Sequence, residues 1–587
     1  MTMTETPDRT DVGPPDPTPL DQLPLRPPWP WRQRVMGALV VIGAAVVWWS
    51  FSRTGIAPAT ITQGWQDMQN LIERMLPIRF DNLSQTVDLA VETFFIAFLG
   101  TALAVGVSVP LAFMAARNTT PNQVAYGLAR GVIVAMRSIP DLVFALIFVR
   151  AIGIGGVGGI IAGILAIGLH AVGMVAKLYG DAVEQIDEGP REAILATGAT
   201  KKQSLLTGVF PQVLPAWIGV ALYRLDINFR TSTILGYVGA GGIGQLLQLY
   251  LSGLRYDRAL GVTVVIIVLV LAVEFLSASV RKAVLGGVDP YHDRRLTVRL
   301  GRVMKRRRKV DPTDPSEPRT AELRFDPERL TPPWTPERRR MTAFTTMSVI
   351  TVLVSFVYTR VTPLDLVAST WDILVVGTRL IPGDLDWLTP DLRSAMLETI
   401  AMAFASTVIG LTLALPLAFL AARNVAPARL IYYIARTIVV VVRAVPELIL
   451  AVLFVAALGL GPFPGVIALS IGTIGFGTKL FADSIEEVKQ GQRDAIVSTG
   501  ATRLQEAGTG VTPQVMPALL GTALYILDIN VRSSTILGIV GAGGIGFYLI
   551  QATRTLQWET VGGIIAMTFV VVYAIERLSG WIRKQLI

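Results

Sequence analysis

The feature that most constrains the fold is a glycine-rich block of sequence that occurs twice. Residues 226–244 read DINFRTSTILGYVGAGGIG, and residues 528–546 read DINVRSSTILGIVGAGGIG. Further matched pairs lie outward from the block, at a spacing of 302 residues or, upstream, of 306: Asp181 and Asp483, Gly198 and Gly500, Pro211 and Pro513, Glu274 and Glu576, Arg137 and Arg443. A chain with this pattern is a duplicated domain, and its function must use both copies.

The composition places both copies in a membrane. Hydrophobic residues make up 52% of the chain and charged residues only 16%. Uninterrupted apolar runs such as residues 261–273 belong to segments long enough to cross a bilayer as helices of about 20 residues. The chain has no cysteine, so disulfides, thiol catalysis and Cys-ligated metals are excluded. It has only two histidines, so few side chains could take part in imidazole chemistry.

The apolar runs predict an all-α membrane protein with about twelve transmembrane helices, arranged as two parallel repeats of six. We divide the chain into a disordered cytoplasmic tail (1–34), a first repeat (35–282), a basic cytoplasmic linker (283–340) and a second repeat (341–587). The predicted helices lie at 35–51, 86–114, 131–152, 157–182, 212–237 and 259–281, and again at 341–358, 393–420, 437–459, 464–483, 514–539 and 560–582. The segments Trp65–Ile72 and Leu364–Val376 are weakly amphipathic and predict surface helices.

Charge sets the predicted orientation. Residues 281–340 contain 17 Lys or Arg and 9 Asp or Glu, so this segment carries +8 of the chain's formal +9. Basic segments beside membrane spans stay in the cytoplasm. The N-terminus, the linker and the C-terminus are therefore predicted to lie on the cytoplasmic side of a bacterial inner membrane. The basic segment indicates contact with anionic lipid headgroups and not binding of nucleic acid.

Each repeat contains one polar segment between its fourth and fifth predicted helices. Glu192, Ala193 and Gly198 stand in the first, and the second places Asp494, Ala495 and Gly500 at the same spacing. Each segment predicts a short cytoplasmic helix that ends at its glycine, because glycine readily adopts the left-handed conformation that ends helices. A symmetric pair of such helices suits a two-fold docking partner, whereas the alternative is an ordinary amphipathic loop.

The pattern of an acid, an alanine, four residues and a glycine resembles the cytoplasmic coupling loop of ATP-binding-cassette import permeases. Downstream, only the proline of the family's pattern is kept, at Pro211 and Pro513. The motifs Arg137-Ser-Ile-Pro-Asp and Arg443-Ala-Val-Pro-Glu, together with the glycine-rich block, look most like the phosphonate permease, with the methionine-importer permease a near relative. The resemblance covers residues 85–282 and 392–584.

This resemblance implies a type I importer-like fold and a permease dimer fused into one polypeptide. It also implies two copies of a cytoplasmic ATPase that grip the coupling loops and an extracytoplasmic substrate-binding protein. ATP and Mg would bind the partner ATPase, since the chain contains no Gly-x-x-x-x-Gly-Lys-Ser/Thr motif. The expected cargo is an oxyanion of the phosphonate or phosphate class, and we expect no chemistry and no cofactor on this chain.

The glycine block also matches the dinucleotide fingerprint in its spacing. That fingerprint requires a preceding strand and a βαβ unit, whereas these glycines lie between two apolar helices. Small residues that permit close backbone packing or a hinge explain the block better.

Two arginines are the candidates for handling the anion. Arg230 and Arg532 lie within the predicted fifth helices, where a cation is costly unless it is paired or lines a wet cavity. A guanidinium fork binds two oxygens of an oxyanion at once. The hydroxyl and amide side chains beside the arginines extend the candidate pathway: Asn228, Thr231, Asn530 and Ser533. The alternative is structural, because Asp226 and Asp528 lie four residues earlier, in the order that favours an intrahelical ion pair.

Other functions remain open at this point. Glu274 and Glu576 are duplicated acids in spanning helices, either functional or held by structural hydrogen bonds. A methionine-type importer is the alternative within the transporter class. A secondary transporter would also show repeats, but it needs a proton or sodium site and no paired coupling loop, while an intramembrane enzyme fits poorly with two histidines and no cysteine.

Overall fold

The computed structural model of the protein describes residues 31–56, 58–284 and 334–586, and within these ranges all regular secondary structure is helical. The chain divides into two compact units, residues 1–49 and residues 50–587, and the second unit holds the first repeat from its second helix onward and all of the described second repeat. The predicted tail (1–34) and linker (283–340) lie largely outside the described residues. At the edges of the linker, helices extend to Val284 and resume at Pro336.

Among the described residues each half contains eleven α-helices, and every helix of the first half has its counterpart eleven places later. The first half consists of α1 (Trp31–Arg53), α2 (Pro58–Met75), α3 (Leu83–Ala115), α4 (Gln123–Ser138), α5 (Asp141–Ile152), α6 (Gly156–Glu184), α7 (Glu188–Ala196), α8 (Lys201–Ser204), α9 (Phe210–Leu235), α10 (Ile243–Ser252) and α11 (Tyr256–Val284).

The second half repeats this order and connects its α8 and α9 equivalents in the same way, through a π-helical stretch. It consists of α12 (Pro336–Thr359), α13 (Pro363–Arg379), α14 (Pro390–Ala421), α15 (Arg429–Ala444), α16 (Glu447–Leu458), α17 (Pro462–Glu486), α18 (Gln490–Ser498), α19 (Arg503–Gln505), α20 (Thr512–Gly538), α21 (Ile545–Arg554) and α22 (Trp558–Leu586). The π-helical stretches are Leu205–Val209 and Glu506–Val511.

The described residues contain nine helices long and apolar enough to span a membrane, and eleven if each of two bent helix pairs counts as one span. Six of the eleven lie in the second half, as predicted. Five lie in the first half, and the span predicted at 35–51 falls within α1, which is not among the eleven. The segments predicted as surface helices are helical, within α2 and α13, and their place on the membrane surface stays a prediction.

The prediction of continuous helices over 131–152 and 437–459 is wrong. The first is broken into α4 and α5, which meet at an angle of 87°, and the second into α15 and α16, which meet at 79°. The breaks fall at Pro140 and Pro446, which supply no backbone N–H. The residues before them, Ile139 and Val445, are extended, as expected before proline.

The two halves share one apolar core. A single buried cluster combines Ile96, Leu142 and Ile164 of the first half with Met402 and Leu469 of the second, all less than 2% exposed. Helix association inside a bilayer rests on close van der Waals packing, because lipid tails are as apolar as the side chains. The halves therefore form one packed body and place their equivalent helices on either side of a common interface.

Candidate translocation and coupling sites

The two polar segments form the short helices α7 and α18, of nine residues each. Gly198 and Gly500 follow them in the left-handed conformation, each at φ +82°. Each glycine N–H closes the helix by donating to a backbone carbonyl, of Leu195 and Val497 respectively, at 3.0 Å. The prediction of a short polar helix ended by glycine is therefore confirmed in both halves.

The residues singled out in these segments all face solvent. They are Glu192, Ala193 and Gly198 in the first half and Asp494, Ala495 and Gly500 in the second. Leu195 and Val497 are also exposed, at 37% and 48%, so each segment shows an apolar side chain beside an acidic one. Such a mixed surface is suited to docking a partner.

Polar side-chain contacts connect the first short helix to the membrane helices. The Asn118 amide donates to the Val183 carbonyl at 2.7 Å and to the Glu188 carboxylate, at the start of α7, at 3.0 Å. The carboxylate of Glu184, at the end of α6, accepts from Arg130 at 3.1 Å. Similar anchors in the second half use Asn424 to the Ile485 carbonyl at 2.6 Å and Arg436 to Glu486 at 2.9 Å. In α18 the Arg493 guanidinium donates to the Asn424 carbonyl at 2.7 Å, so both short helices are joined to the loops that follow α3 and α14.

The sequence reading missed the partner arginines, Arg130 and Arg436. Both lie on the amphipathic helices α4 and α15, and the spacing of 306 that relates them is the one that relates Arg137 to Arg443. Their repetition could have identified them, since an arginine at the same position of both repeats, near the end of a span, indicates that each has an equivalent partner.

The glycine-rich block is held by two side chains from a distant helix. The Gly242 N–H donates to the Glu92 carboxylate at 2.7 Å, and the Ile243 N–H donates to the Thr93 hydroxyl at 2.8 Å. Glu398 and Thr399 hold Gly544 and Ile545 in the same way, at 3.1 and 2.8 Å. These groups satisfy backbone donors that the N-termini of α10 and α21 would otherwise leave unpaired.

Glycine is required here by geometry. Gly242 has φ +73°, and a Cβ on it would collide with the Thr93 hydroxyl. The interpretation of the block as close backbone packing is thus supported. A nucleotide phosphate would find these N–H groups already occupied, and α9 leads into the block where the dinucleotide fingerprint requires a strand.

The two candidate arginines are both half-buried but differ in their partners. Arg532 forms an ion pair with Asp528, four residues earlier, and its remaining donors approach the carbonyls of Asp528 and Arg137 at 3.5 Å. In the described part of the chain Arg230 forms no ion pair, and its Nε has no hydrogen-bond partner. The spacing of four residues permits an intrahelical ion pair in both halves. The second half forms it, between Asp528 and Arg532, and the first half does not form it between Asp226 and Arg230.

The amides predicted beside the arginines are turned away from them into the helix packing. Asn228 is fully buried and donates to the Thr101 hydroxyl of α3 at 2.9 Å. Asn530 is 2% exposed and donates to Thr407 and Thr473 at 2.8 and 2.9 Å. These contacts brace α9 and α20 against their neighbours, while the half-buried Thr231 and Ser533 lie next to the arginines in sequence.

Both arginines lie where the two halves meet. Arg532 reaches the backbone of Arg137, at the end of α4 in the other half, and Arg137 also pairs with Glu576 of α22 at 3.7 Å. Arg230 lies within electrostatic range of Glu447, the first residue of α16 in the other half, without forming an ion pair with it. Glu576, one of the two duplicated acids, therefore has a cross-half ion pair.

Two parallel copies of a bent-helix membrane domain, each with an exposed short helix, define a polytopic transport protein. The family described as "Binding-protein-dependent transport system inner membrane component" matches residues 108–286 and again 414–586, and the chain belongs to this family. The predicted resemblance to importer permeases, with two copies fused, is confirmed. Permeases of this family work with an ATPase and a substrate-binding protein.

The chain is similar to three curated permeases. It is 44% identical to the phosphate-import permease protein PhnE of Mycolicibacterium smegmatis over 90% of this chain and 91% of that protein. It is 38% identical to the phosphite transport system permease protein PtxC of Stutzerimonas stutzeri over 43% of this chain and 90% of that protein. It is 33% identical to a probable D-methionine transport system permease protein, MetI, of Haemophilus influenzae over 26% of this chain and 76% of that protein.

Among solved structures, a chain of the MetNI methionine ABC transporter in an inward-facing conformation matches 34% of this chain and 96% of its own length. Its sequence identity is 25% and its TM-score 0.31.

Proposed function

We propose that this chain is the transmembrane subunit of an ATP-driven importer that carries an oxyanion of the phosphate or phosphonate class into the cytoplasm. One structural observation carries the proposal: an arginine at the same position of each repeat lies at the interface between the halves. The similarity to permeases that import phosphate and phosphite supports the same class of cargo.

The proposed partners follow from the paired exposed helices. Two copies of a cytoplasmic ATPase would bind α7 and α18, with ATP and Mg on the ATPase and none on this chain. A substrate-binding protein would dock on the opposite side of the membrane. The proposed location is a bacterial inner membrane, with both termini in the cytoplasm and the bilayer around the apolar helices.

In the proposed mechanism, ATP binding draws the two ATPase copies together and displaces α7 and α18. The anchors Asn118 and Asn424 pass this displacement to the membrane helices, so the halves change their relative positions. Substrate and ATP shift the balance between states that already exist. At the interface a guanidinium offers two donors to an oxyanion, and Thr231 and Ser533 would add hydroxyl donors.

The test is uptake by proteoliposomes that contain the full chain, its ATPase and its loaded binding protein. Lysine keeps the charge but loses the fork, so the Arg230→Lys/Arg532→Lys double variant is expected to insert normally and to lose most phosphate uptake. The matched control is Arg79→Lys, since Arg79 is an exposed arginine whose partner is Asp257 at 3.4 Å. Wild-type uptake by the double variant would refute an anion-handling role for the arginines.

The second candidate, a methionine-type importer, is favoured by the similarity to methionine permeases, which covers about a quarter of the chain. Competition separates the two: unlabelled phosphate or methylphosphonate should suppress uptake of labelled phosphate, and methionine should not. Uptake without the ATPase, driven by an ion gradient, would instead indicate a secondary transporter.

A further inference from the structure

The polar side chains of α9 are less completely paired than those of its counterpart α20. Among the described residues, four side-chain atoms of α9 are buried without a hydrogen-bond partner. They are the Nε of Arg224, the Oδ1 of Asp226, the Oδ1 of Asn228 and the Nε of Arg230. On the described α20 only the Oδ1 of Asp528 is in this state. Buried polar groups normally have partners, so the excess on one helix indicates a place where a polar ligand can bind.

Arg224 is the most deeply buried charged residue of α9, with 4% of its surface exposed. Its Nη1 donates to the Sδ of Met174 in α6, 3.4 Å away, and within the described ranges no carboxylate forms an ion pair with it. A thioether sulfur is a weak acceptor, and a buried charge without a counter-ion is costly. This part of α9 therefore holds a positive charge that lacks an anion.

The second half shows that the fold does not need an arginine at this position. The equivalent residue is Ile526, which is 1% exposed, so the same site between helices accepts an apolar side chain. Asp141 of α5 lies within electrostatic range of Arg224 without forming an ion pair with it. The Oδ1 of Asp141 instead accepts from the Leu142 N–H of its own helix at 2.8 Å. The unpaired guanidinium is thus a property of the first half.

We propose that Arg224 is a binding residue for the transported oxyanion and that Met174 covers it while no anion is bound. Arg224 lies six residues from Arg230, about 9 Å along the helix axis toward α7, so the two arginines offer successive positions along α9. Met174 is half-buried, and a methionine side chain is flexible enough to move aside. This inference rests on the proposed function, because it names a residue that binds the same class of substrate.

The first test measures equilibrium binding of radiolabelled inorganic phosphate to the full chain in lipid nanodiscs, at constant ionic strength set with chloride. Arg224→Ile copies the residue of the second half and should weaken phosphate binding at least about tenfold, because charge-assisted hydrogen bonds are lost. Thermal stability without phosphate should stay the same or rise, since an unpaired buried charge is removed. The matched control is Arg79→Ile, which removes an exposed arginine and should bind phosphate like the wild type.

A pair of alanine variants tests the cover. Met174→Ala should expose the guanidinium and strengthen phosphate binding severalfold. Phe476→Ala changes the equivalent half-buried residue of the second half, where Ile526 replaces the arginine, and should leave phosphate binding unchanged.

Four results would overturn the proposal. They are wild-type phosphate binding by Arg224→Ile, no phosphate binding by the wild type, equal effects of Met174→Ala and Phe476→Ala, and a lower thermal stability of Arg224→Ile without phosphate, as expected of a structural arginine. Each of them leaves the importer function standing, because that function is judged by phosphate uptake with the ATPase and the binding protein present.

Discussion

The glycines that end the two short helices allow a test of coupling in which geometry is the only variable. Gly198 and Gly500 have φ +82°, and no atom lies within 4 Å of the position a Cβ would take at either residue. A new side chain there meets open space, so its whole cost comes from the backbone conformation. Valine and asparagine both fit the space, but asparagine tolerates the left-handed conformation and a β-branched residue does not.

The expected magnitude follows from that conformation. An ordinary residue in the left-handed region costs about 1–2 kcal/mol, so Gly198→Val with Gly500→Val costs about twice this over the two loops. The strain is relieved when the last turn of α7 opens and the hydrogen bond from the Gly198 N–H to the Leu195 carbonyl, 3.0 Å long, is lost. Each 1.4 kcal/mol lowers the share of correctly shaped loops about tenfold.

The assay is ATP hydrolysis stimulated by the loaded binding protein, together with phosphate uptake, in proteoliposomes. The double valine variant should insert in normal amounts and lose most of both activities, while the double asparagine variant should retain most of them. Equal activity in the valine, asparagine and wild-type proteins would show that the shape of these loops does not matter for coupling.

Three further predictions concern parts of the fold outside these loops. Thr93→Val leaves the Ile243 N–H buried without its acceptor and should lower the free energy of unfolding by about 1–3 kcal/mol, as should Thr399→Val; equal thermal stability would contradict this. Trp217→Leu loses a ring stacked on Tyr179 at 4.5 Å and should destabilise by about 2 kcal/mol or more, measured by thermal unfolding in detergent. The linker is rich in charge and proline, so it should act only as a tether; cutting the chain near residue 315 and co-expressing the fragments should restore uptake, unless the linker has a role of its own.

Local patterns were sufficient to predict most of the helices. The long apolar helices, the helices α2 and α13 and the glycine-ended helices α7 and α18 follow from periodicity and from the special conformation of glycine. The bends at Pro140 and Pro446 were missed although the prolines are visible, because the apolar run continues through them and hydropathy alone does not register a lost N–H. The short helices α10 and α21 were missed for a related reason, since each lies within the weakly apolar stretch between two long spans.

The partners of the candidate residues could not be read from local sequence. Glu92 binds Gly242 across 150 residues of chain, and nothing near either residue indicates the other. Asp226 and Arg230 have the same spacing as Asp528 and Arg532, yet only the second pair forms an ion pair. The spacing within one helix permits such a pair and does not decide whether it forms.

The way in which the glycine-rich turns are held has a consequence for anything negatively charged that passes nearby. The N-terminus of a helix is a ready-made trap for phosphate, because its free N–H groups and its dipole both attract anions. In this protein the first donors of α10 and α21 already belong to Glu92, Thr93, Glu398 and Thr399. An import pathway for oxyanions should not contain sites that bind the substrate tightly along the way. By accepting these hydrogen bonds, the four side chains make the first N–H groups of both helices unavailable to an oxyanion.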